Sequence, residues 1–307
     1  MNATPSDNQS GFFDLEDSVS WMSYMEEHGY CVIRSVATEE ECHTAVEMLW
    51  TDMTRIYGAV KTDINTWGKI PTNGPGIISS YLPQSSGAWL IRGLDTVRSA
   101  FSTIWGTDRL IVSMDSLLIW LPWWYNSSWK PVSEGLHLDQ NPFFKPDKCC
   151  VQGMVPLTDV TDVTGGLEVV PFSHLPDAKE RFKQAHPQYN AIPSDWCVLR
   201  RPDRLGPDPV LIKAKAGDLI LWDSRIVHGG KVGTGFPENF QQELARLAVT
   251  VCMTPRDFAR ERVLSMRREG FLKGKTFTHW PHEARWTSSG SDSYVPVELS
   301  SRVNELI

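Results

Sequence analysis

The chain has no run of Lys or Arg long enough to bind a phosphate backbone or an anionic membrane surface. Its 30 basic residues are outnumbered by 37 acidic ones, giving a net charge of −7 and a pI near 5.6. Neither nucleic acid nor a membrane is therefore expected as a partner. Six cysteines, Cys31, Cys42, Cys149, Cys150, Cys197 and Cys252, contain no C-x-x-C pair. Cys149 and Cys150 are adjacent, where a bridge would be strained. This usage fits reduced thiols in an intracellular, cytoplasmic protein. The opening MNATPSDNQSG lacks the basic and apolar stretches of a secretion signal. The most apolar segment, Leu110–Trp124, is broken by Asp115 and Pro122 and is not a membrane span. The closing Glu-Leu-Ile is no peroxisomal address. No internal repeat or low-complexity tract occurs.

What is present is a globular composition of 307 residues, 41% hydrophobic and 22% charged. After a polar tail over 1–11, expected to be disordered, the pattern predicts one domain over 12–307. Residues 12–106 read as a helical region with a loop, 107–255 as a strand-rich core, and 256–307 as a C-terminal helix and tail. Helices are predicted at about Asp17–Glu27, from a T-x-x-E capping box (Thr38, Glu41) to Gly58, and at about Leu94–Trp105. The second carries an apolar stripe of Cys42, Ala45, Val46, Leu49, Met53, Ile56 and Tyr57. Residues 61–90, rich in Gly, Pro, Ser and Asn, read as one long functional loop. From Leu110 onward short apolar runs separated by turn residues predict strands: Leu110–Leu121, Cys150–Leu157, Gly166–Pro171, Val210–Lys213, Asp218–Asp223 and Ala245–Met253. Further helices are expected at about Asp177–His186 and Arg256–Glu269. Helices followed by strands argue for an α+β protein with a sandwich core.

The chemistry sits in HLDQ (His137–Gln140) and SRIVHGG, which contains His228. On a strand, His137 and Asp139 point to one face and Leu138 to the other. His228 is placed at the end of a second strand, AGDLILWDSRIVH, sharing the parity of Trp222, Ser224 and Ile226. Two imidazoles and one carboxylate can occupy one face of a metal, most often non-haem Fe(II), and leave the opposite face open. H-x-D alone arises by chance, and any single His can equally be a core or surface residue. Three further segments agree with the metal reading: GGLEVVPFSH after the pair, the glycine-flanked AGDLILWDSRIVHGG, and the strand RLAVTVCMTP opened by Arg246.

Together these segments, over about residues 30–255, resemble the phytanoyl-CoA dioxygenase family of Fe(II)/2-oxoglutarate oxygenases. WGTDRLIVSMD, VCMTP and THWPH resemble a microbial and fungal branch of it. The resemblance implies a double-stranded β-helix, a cupin-like jelly roll, with helices outside. It implies Fe(II) held by His137, Asp139 and His228, with 2-oxoglutarate and O2 as cosubstrates and succinate and CO2 as products. Arg246 would receive the distal oxoglutarate carboxylate through its planar fork, with Ala248, Thr250 and Cys252 on its face leaving room. It stands further from His228 than is usual in the family, and the polar insert KVGTGFPENFQQE absorbs the difference. The alternative for Arg246 is a surface ion pair. Because Asp139 is retained, hydroxylation, desaturation or ring closure is expected, not halogenation.

Other residues carry two readings each. Gln152 either hydrogen-bonds oxoglutarate or is a half-exposed edge residue. Among 13 tryptophans, Trp120, Trp123, Trp124 and Trp129 are either packing or the aromatic wall of a substrate pocket, with the 61–90 loop as its lid. Arg92, Arg98 and Lys69 either meet an anionic substrate or are solvated. Asp223 and Arg225 pair and brace the chain before His228, and His174 braces a turn. His279 and His282 suggest a second metal, but Trp280 and Pro281 between them favour a packed segment; His28, His43 and His186 receive no function. The expected activity is oxidation of a small organic molecule, amino-acid-like or a secondary metabolite, by a monomer or homodimer. The alternatives are a cupin-like metalloenzyme independent of oxoglutarate and a non-catalytic binding domain.

Overall fold

Polar caps and glycine stops bracket the first helices. The computed structural model describes residues 10–72, 74–199, 205–237, 242–283, 285–291 and 294–307. The expected tail over 1–11 therefore lies, at 1–9, outside the described residues. Strand β1 (Phe12–Phe13) leads to helix α1 (Ser18–His28), where the Asp17 carboxylate accepts from the Ser20 N–H. Gly29 closes it at φ +86°, a left-handed conformation that glycine adopts without a steric penalty. After β2 (Tyr30–Ile33), α2 (Glu39–Tyr57) begins at the Thr38–Glu41 capping box and stops at Gly58. Its Cys42, Ala45, Leu49 and Met53 are buried, while Val46, Ile56 and Tyr57 are half-buried at the flank.

Residues 61–90 are not one irregular loop. They hold a 3-10 helix (Ile64–Lys69), strand β3 (Ile77–Ile78), a 3-10 turn (Leu82–Gln84) and most of helix α3 (Ser86–Arg92). Ile64, Trp67, Ile70, Ile78, Leu82 and Trp89 anchor the segment in the core. Their spacing is aperiodic, which is why the pattern carried no secondary-structure signal. Helix α4 (Asp95–Trp105) stops at Gly106.

The strands follow: β4 (Leu110–Val112), β5 (Leu117–Trp120), β6 (His137–Leu138), β7 (Val151–Pro156) and β8 (Gly165–Val170). Beyond α5 (Pro176–Ala185) come β9 (Cys197–Val198), β10 (Val210–Leu211), β11 (Leu219–Asp223), β12 (Val227–Val232), β13 (Arg246–Thr250) and β14 (Met253–Pro255). Helices α6 (Glu261–Leu272) and α7 (Ser301–Asn304) end the chain.

These strands form a seven-stranded sheet, β1-β2-β11-β7-β13-β5-β3, a five-stranded sheet, β10-β8-β12-β6-β9, and the pair β14-β4. All pairings are antiparallel except β1 with β2. Alternation divides each strand of the large sheet between two cores. Leu219, Leu221, Val151, Val155, Leu247 and Val249 pack with α2, α3 and α4. Ile220, Trp222, Met154 and Ala248 face the five-stranded sheet, meeting Leu167 and Val169. The protein is thus α+β, with helices against one face of the large sheet and a second sheet against the other.

Three expected strands divide. Leu110–Leu121 is β4 and β5, in different sheets, and Ala245–Met253 runs from β13 into the start of β14. AGDLILWDSRIVH breaks after Asp223, so β11 lies in the large sheet and β12 in the small one. The corner is held by Asp223, whose carboxylate accepts from Arg225 N–H, Nε and Nη2 at 2.8–2.9 Å. His228 therefore lies near the start of a strand and does not end one. Its expected common parity with Trp222, Ser224 and Ile226 does not apply.

Candidate active site

Three side chains converge where the two sheets face each other. His137 on β6 and His228 on β12 are direct register partners, with ring centroids 4.6 Å apart. Each Nδ1 lies 3.0 Å from a backbone carbonyl two residues earlier, Gly135 for His137 and Ile226 for His228. Donation to those carbonyls leaves each Nε2 with its lone pair free. Asp139 follows β6 directly on the same face, its Oδ1 3.7 Å from His137 Nε2 and its Oδ2 3.2 Å from His228 Nε2. Ligand atoms from the three residues lie within 4.8 Å of one another. Leu138 turns away to pack on Val170, Phe182 and Cys197.

Electrostatics favour the ligating forms. Burial, reinforced by His228, pushes the His137 imidazole below its usual 6.5. Burial alone would raise Asp139, but His279, then His228 and His137, hold it well below the usual carboxylate range. Neutral imidazole beside ionised carboxylate is the state a divalent metal takes up, and two nitrogens with one oxygen suit iron.

Gln152 is on β7, between β11 and β13, and only 5% exposed, so it is not an edge residue. Its Nε2 donates to Asp139 Oδ2 at 3.1 Å, which fixes the carboxylate's orientation. Arg246 opens β13 and is also only 5% exposed, which excludes a surface ion pair. Among the described residues its Nε has no hydrogen-bond partner, and Nη2 reaches only the Met154 sulfur at 3.5 Å. Burial lowers its pKa to about 10. A buried guanidinium with no counter-ion is expensive, and it borders the same cavity as the triad. That cavity has a volume of about 410 Å³, enough for a small organic ligand. Thr250 and Cys252, further along the chain on the same face, line it too, and Ile77, Leu118, Trp120, Leu167 and Trp222 supply apolar wall.

Several expected substrate contacts fall elsewhere. Trp120 is in the wall, but Trp123 and Trp124 form a layer behind it. Trp123 meets Trp120 edge-on at 6.3 Å, and Trp124 lies 5.1 Å from Trp123. Strand alternation ends at Trp120, and both rings follow Pro122 in a turn. Arg92 is 0% exposed and ends α3. Its Nε, Nη1 and Nη2 donate to the carbonyls of Thr250, Pro83 and Asp115 at 2.6–3.1 Å, so it ties backbone segments together and is not among the residues lining the cavity. Lys69 donates to Gly58 O, and Arg98 to Asp108 O. The 61–90 segment contributes Pro75 and Ile77 to the wall. His174 donates from Nε2 to Glu26 O at 2.9 Å, tying its turn to α1.

Sequence reasoning missed Asp115, Glu134, Trp196, Thr278 and His279, all of which border the cavity. Trp196 is 49% exposed and 6.2 Å from the His137 ring. Trp280 is packed as expected, against Cys150 and Cys252, but that packing turns His279 inward, its Nδ1 3.9 Å from Asp139 Oδ2. His282 instead contacts Thr254 Oγ1 at 3.2 Å. THWPH looked apolar enough to be packing throughout, and only its fold separates the two roles.

Comparison with known proteins agrees with this geometry. The model of the family described as phytanoyl-CoA dioxygenase (PhyH) matches residues 25–233. Protein O of the Ava biosynthesis cluster of Aspergillus versicolor is 27% identical over 293 residues, covering 90% of each chain. Among solved structures, the epimerase SnoN in complex with Fe3+, alpha ketoglutarate and nogalamycin RO is similar with a TM-score of 0.55 and 16% identity, over 78% of this chain and 84% of that one. The alpha ketoglutarate dependent carbocyclase SnoK from nogalamycin biosynthesis is similar with a TM-score of 0.52 and 19% identity, over 80% and 87%. The structural likenesses are likenesses of fold.

Proposed function

Because the chain belongs to the phytanoyl-CoA dioxygenase family, we propose that it is an Fe(II)- and 2-oxoglutarate-dependent oxygenase of a small organic molecule. In this reading His137, Asp139 and His228 hold the iron and Arg246 receives the distal carboxylate of oxoglutarate. The two facing sheets are the walls of a double-stranded β-helix within a single domain over 12–307. The observation that carries the reading is Arg246: a desolvated guanidinium with no counter-ion among the described residues and a partnerless Nε, in the cavity that holds a 2-His-1-carboxylate group. A dicarboxylate spanning the two would satisfy both. A cupin-like metalloenzyme without oxoglutarate has no use for that cation.

Iron and oxoglutarate, when bound with O2, would supply oxidative decarboxylation to succinate and CO2 and the oxidising power for an unactivated C–H bond. The chain's own residues do the rest. The Gly135 and Ile226 carbonyls fix the two imidazole planes, and Gln152 fixes the Asp139 carboxylate. Trp120, Trp222 and Leu118 keep the site dry, which strengthens every charge contact inside it. Hydroxylation, desaturation and ring closure are the reactions proposed.

Anaerobic titration with Fe(II) and oxoglutarate tests the assignment. A metal-to-ligand charge-transfer band in the visible is expected, and His137→Ala should abolish both the band and succinate formation. Absence of the band in folded, iron-loaded protein, or undiminished succinate from the His137 variant, would overturn it.

A further inference from the structure

The cavity has two chemically different ends. Arg246 and Thr250 lie at opposite ends of β13, about 13 Å apart along an antiparallel strand. Arg246 pairs with Trp120, whereas Thr250 Oγ1 donates to the Ser116 carbonyl at 2.6 Å. The end away from Arg246 belongs to residues that the metal and oxoglutarate do not use: Asp115, Thr278 and His279.

Asp115 Oδ1 accepts from Ser116 N–H and Oγ–H at 2.7 and 3.2 Å, and no hydrogen bond reaches its Oδ2 among the described residues. Burial raises the pKa of this carboxyl group, and His279 and, less strongly, Arg92 act on it electrostatically in the opposite sense. The N–H groups of Arg92, however, go to backbone carbonyls, so they leave the carboxylate's accepting capacity unspent. Thr278 and His279 come from a C-terminal hairpin closed by the Phe277–Trp286 bridge. Phe277 N–H donates to Met114 O, which ties that hairpin to the chain just before Asp115. Cys150 Sγ donates to His279 O, and the Lys145 ammonium sits 3.7 Å over Trp280, so the hairpin is fixed from both sides. Held there, Thr278 Oγ1 and His279 Nε2 are enclosed with no hydrogen-bond partner among the described residues. Native proteins leave few such atoms, and these two belong to adjacent residues bordering one cavity. The described residues supply nothing to them, and what fills the cavity is placed to do so.

We propose that Asp115, Thr278 and His279 form the substrate-recognition end of the cavity, and that the substrate is an apolar small molecule with a hydrogen-bond-donating head, an amine or a hydroxyl, directed at Asp115. The apolar body lies along Leu118, Leu167 and Trp222, and Thr278 and His279 take the remaining bonds of the head. This rests on the oxoglutarate reading of Arg246, because it assigns the end that Arg246 leaves free.

The test uses the full chain loaded with oxoglutarate and Zn(II), which blocks turnover. Binding of phenethylamine, 2-phenylethanol, its methyl ether and propylbenzene is measured by ligand-observed NMR at millimolar concentration. The amine and alcohol are expected to bind at least about tenfold tighter than the ether and propylbenzene, the scale of one hydrogen bond to a charged group. D115N should remove most of the amine's advantage. T278V, nearly isosteric, should weaken amine and alcohol severalfold and leave propylbenzene unchanged; it decides alone if D115N does not fold. Equal binding across the series, no binding by any probe, or an unchanged ranking in T278V overturns the proposal. The charge-transfer band of the wild-type Fe(II) protein reports separately on oxoglutarate: a band without head-group preference sinks this inference alone, whereas a missing band sinks the oxygenase reading.

Discussion

Arg246 and Trp120 are register partners across β13 and β5, and the guanidinium lies 4.6 Å from the indole centre. The indole is itself pinned, donating from Nε1 to Pro75 O at 2.7 Å. A ring face attracts a cation but offers no hydrogen-bond acceptors in the plane of the fork, so the donors of Arg246 stay available for a carboxylate. Arg246→Lys keeps the charge and loses the fork. It is expected to weaken oxoglutarate binding by about 1.5–3 kcal/mol, tenfold or more, with Fe(II) affinity nearly unchanged. Calorimetry with each ligand in turn checks this. Equal losses for both ligands would mean that the substitution damages the fold.

Gln152 touches the candidate metal site only through Asp139 Oδ2. Gln152→Leu preserves volume and removes that donor. Partners of this kind typically contribute about 10–100-fold to metal affinity, and that loss is expected here, with oxoglutarate affinity at saturating metal little changed. Fe(II) and oxoglutarate titrations distinguish the cases: a loss confined to oxoglutarate would make Gln152 a cosubstrate contact instead.

What was legible in the chain was what local rules determine. Asp17, Thr38 and Gly58 marked helix ends because caps and left-handed stops act within a few residues. His137 and Asp139 share a face because strand parity is local. His228 and Arg246 were found through motif context, not geometry. The break at Ser224–Ile226 was invisible, since an apolar run reads alike whether it stays in one sheet or crosses to another. Arg92 at a helix end looks the same buried or solvated, and only the carbonyls gathered from Pro83, Asp115 and Thr250 decide its role. His279 meets Asp139 through a hairpin placed by tertiary packing, which no spacing rule reaches.

Arg92 should therefore behave as a stability residue. Arg92→Met would leave the carbonyls of Thr250, Pro83 and Asp115 without the donors they now have. At roughly 1–3 kcal/mol for each buried group left unsatisfied, with partial relaxation, a loss of about 3–5 kcal/mol is expected. Urea unfolding measures it. The folded fraction should retain wild-type oxoglutarate affinity. A variant of normal stability but impaired substrate turnover would return Arg92 to substrate binding.

His282 links stability to pH. Burial, aided by Lys145 and Arg267 and opposed by Glu283, lowers its pKa from 6.5 to about 4. The unfolded chain therefore takes up a proton near pH 6.5 that the folded protein refuses until about pH 4. Stability from the neutral, buried imidazole is fully present above the unfolded value and is lost as pH falls through this window. His137 and His174 are lowered by burial too, so the wild-type slope alone does not isolate one residue. His282→Gln can keep the contact with Thr254 Oγ1 and cannot titrate. The fall in urea midpoint between pH 7 and pH 4.5 should be distinctly smaller in this variant than in wild type, both measured without metal. Parallel curves for the two proteins would show that His282 is protonated as easily folded as unfolded, and that its packing against Trp280 and Phe258 does not desolvate it.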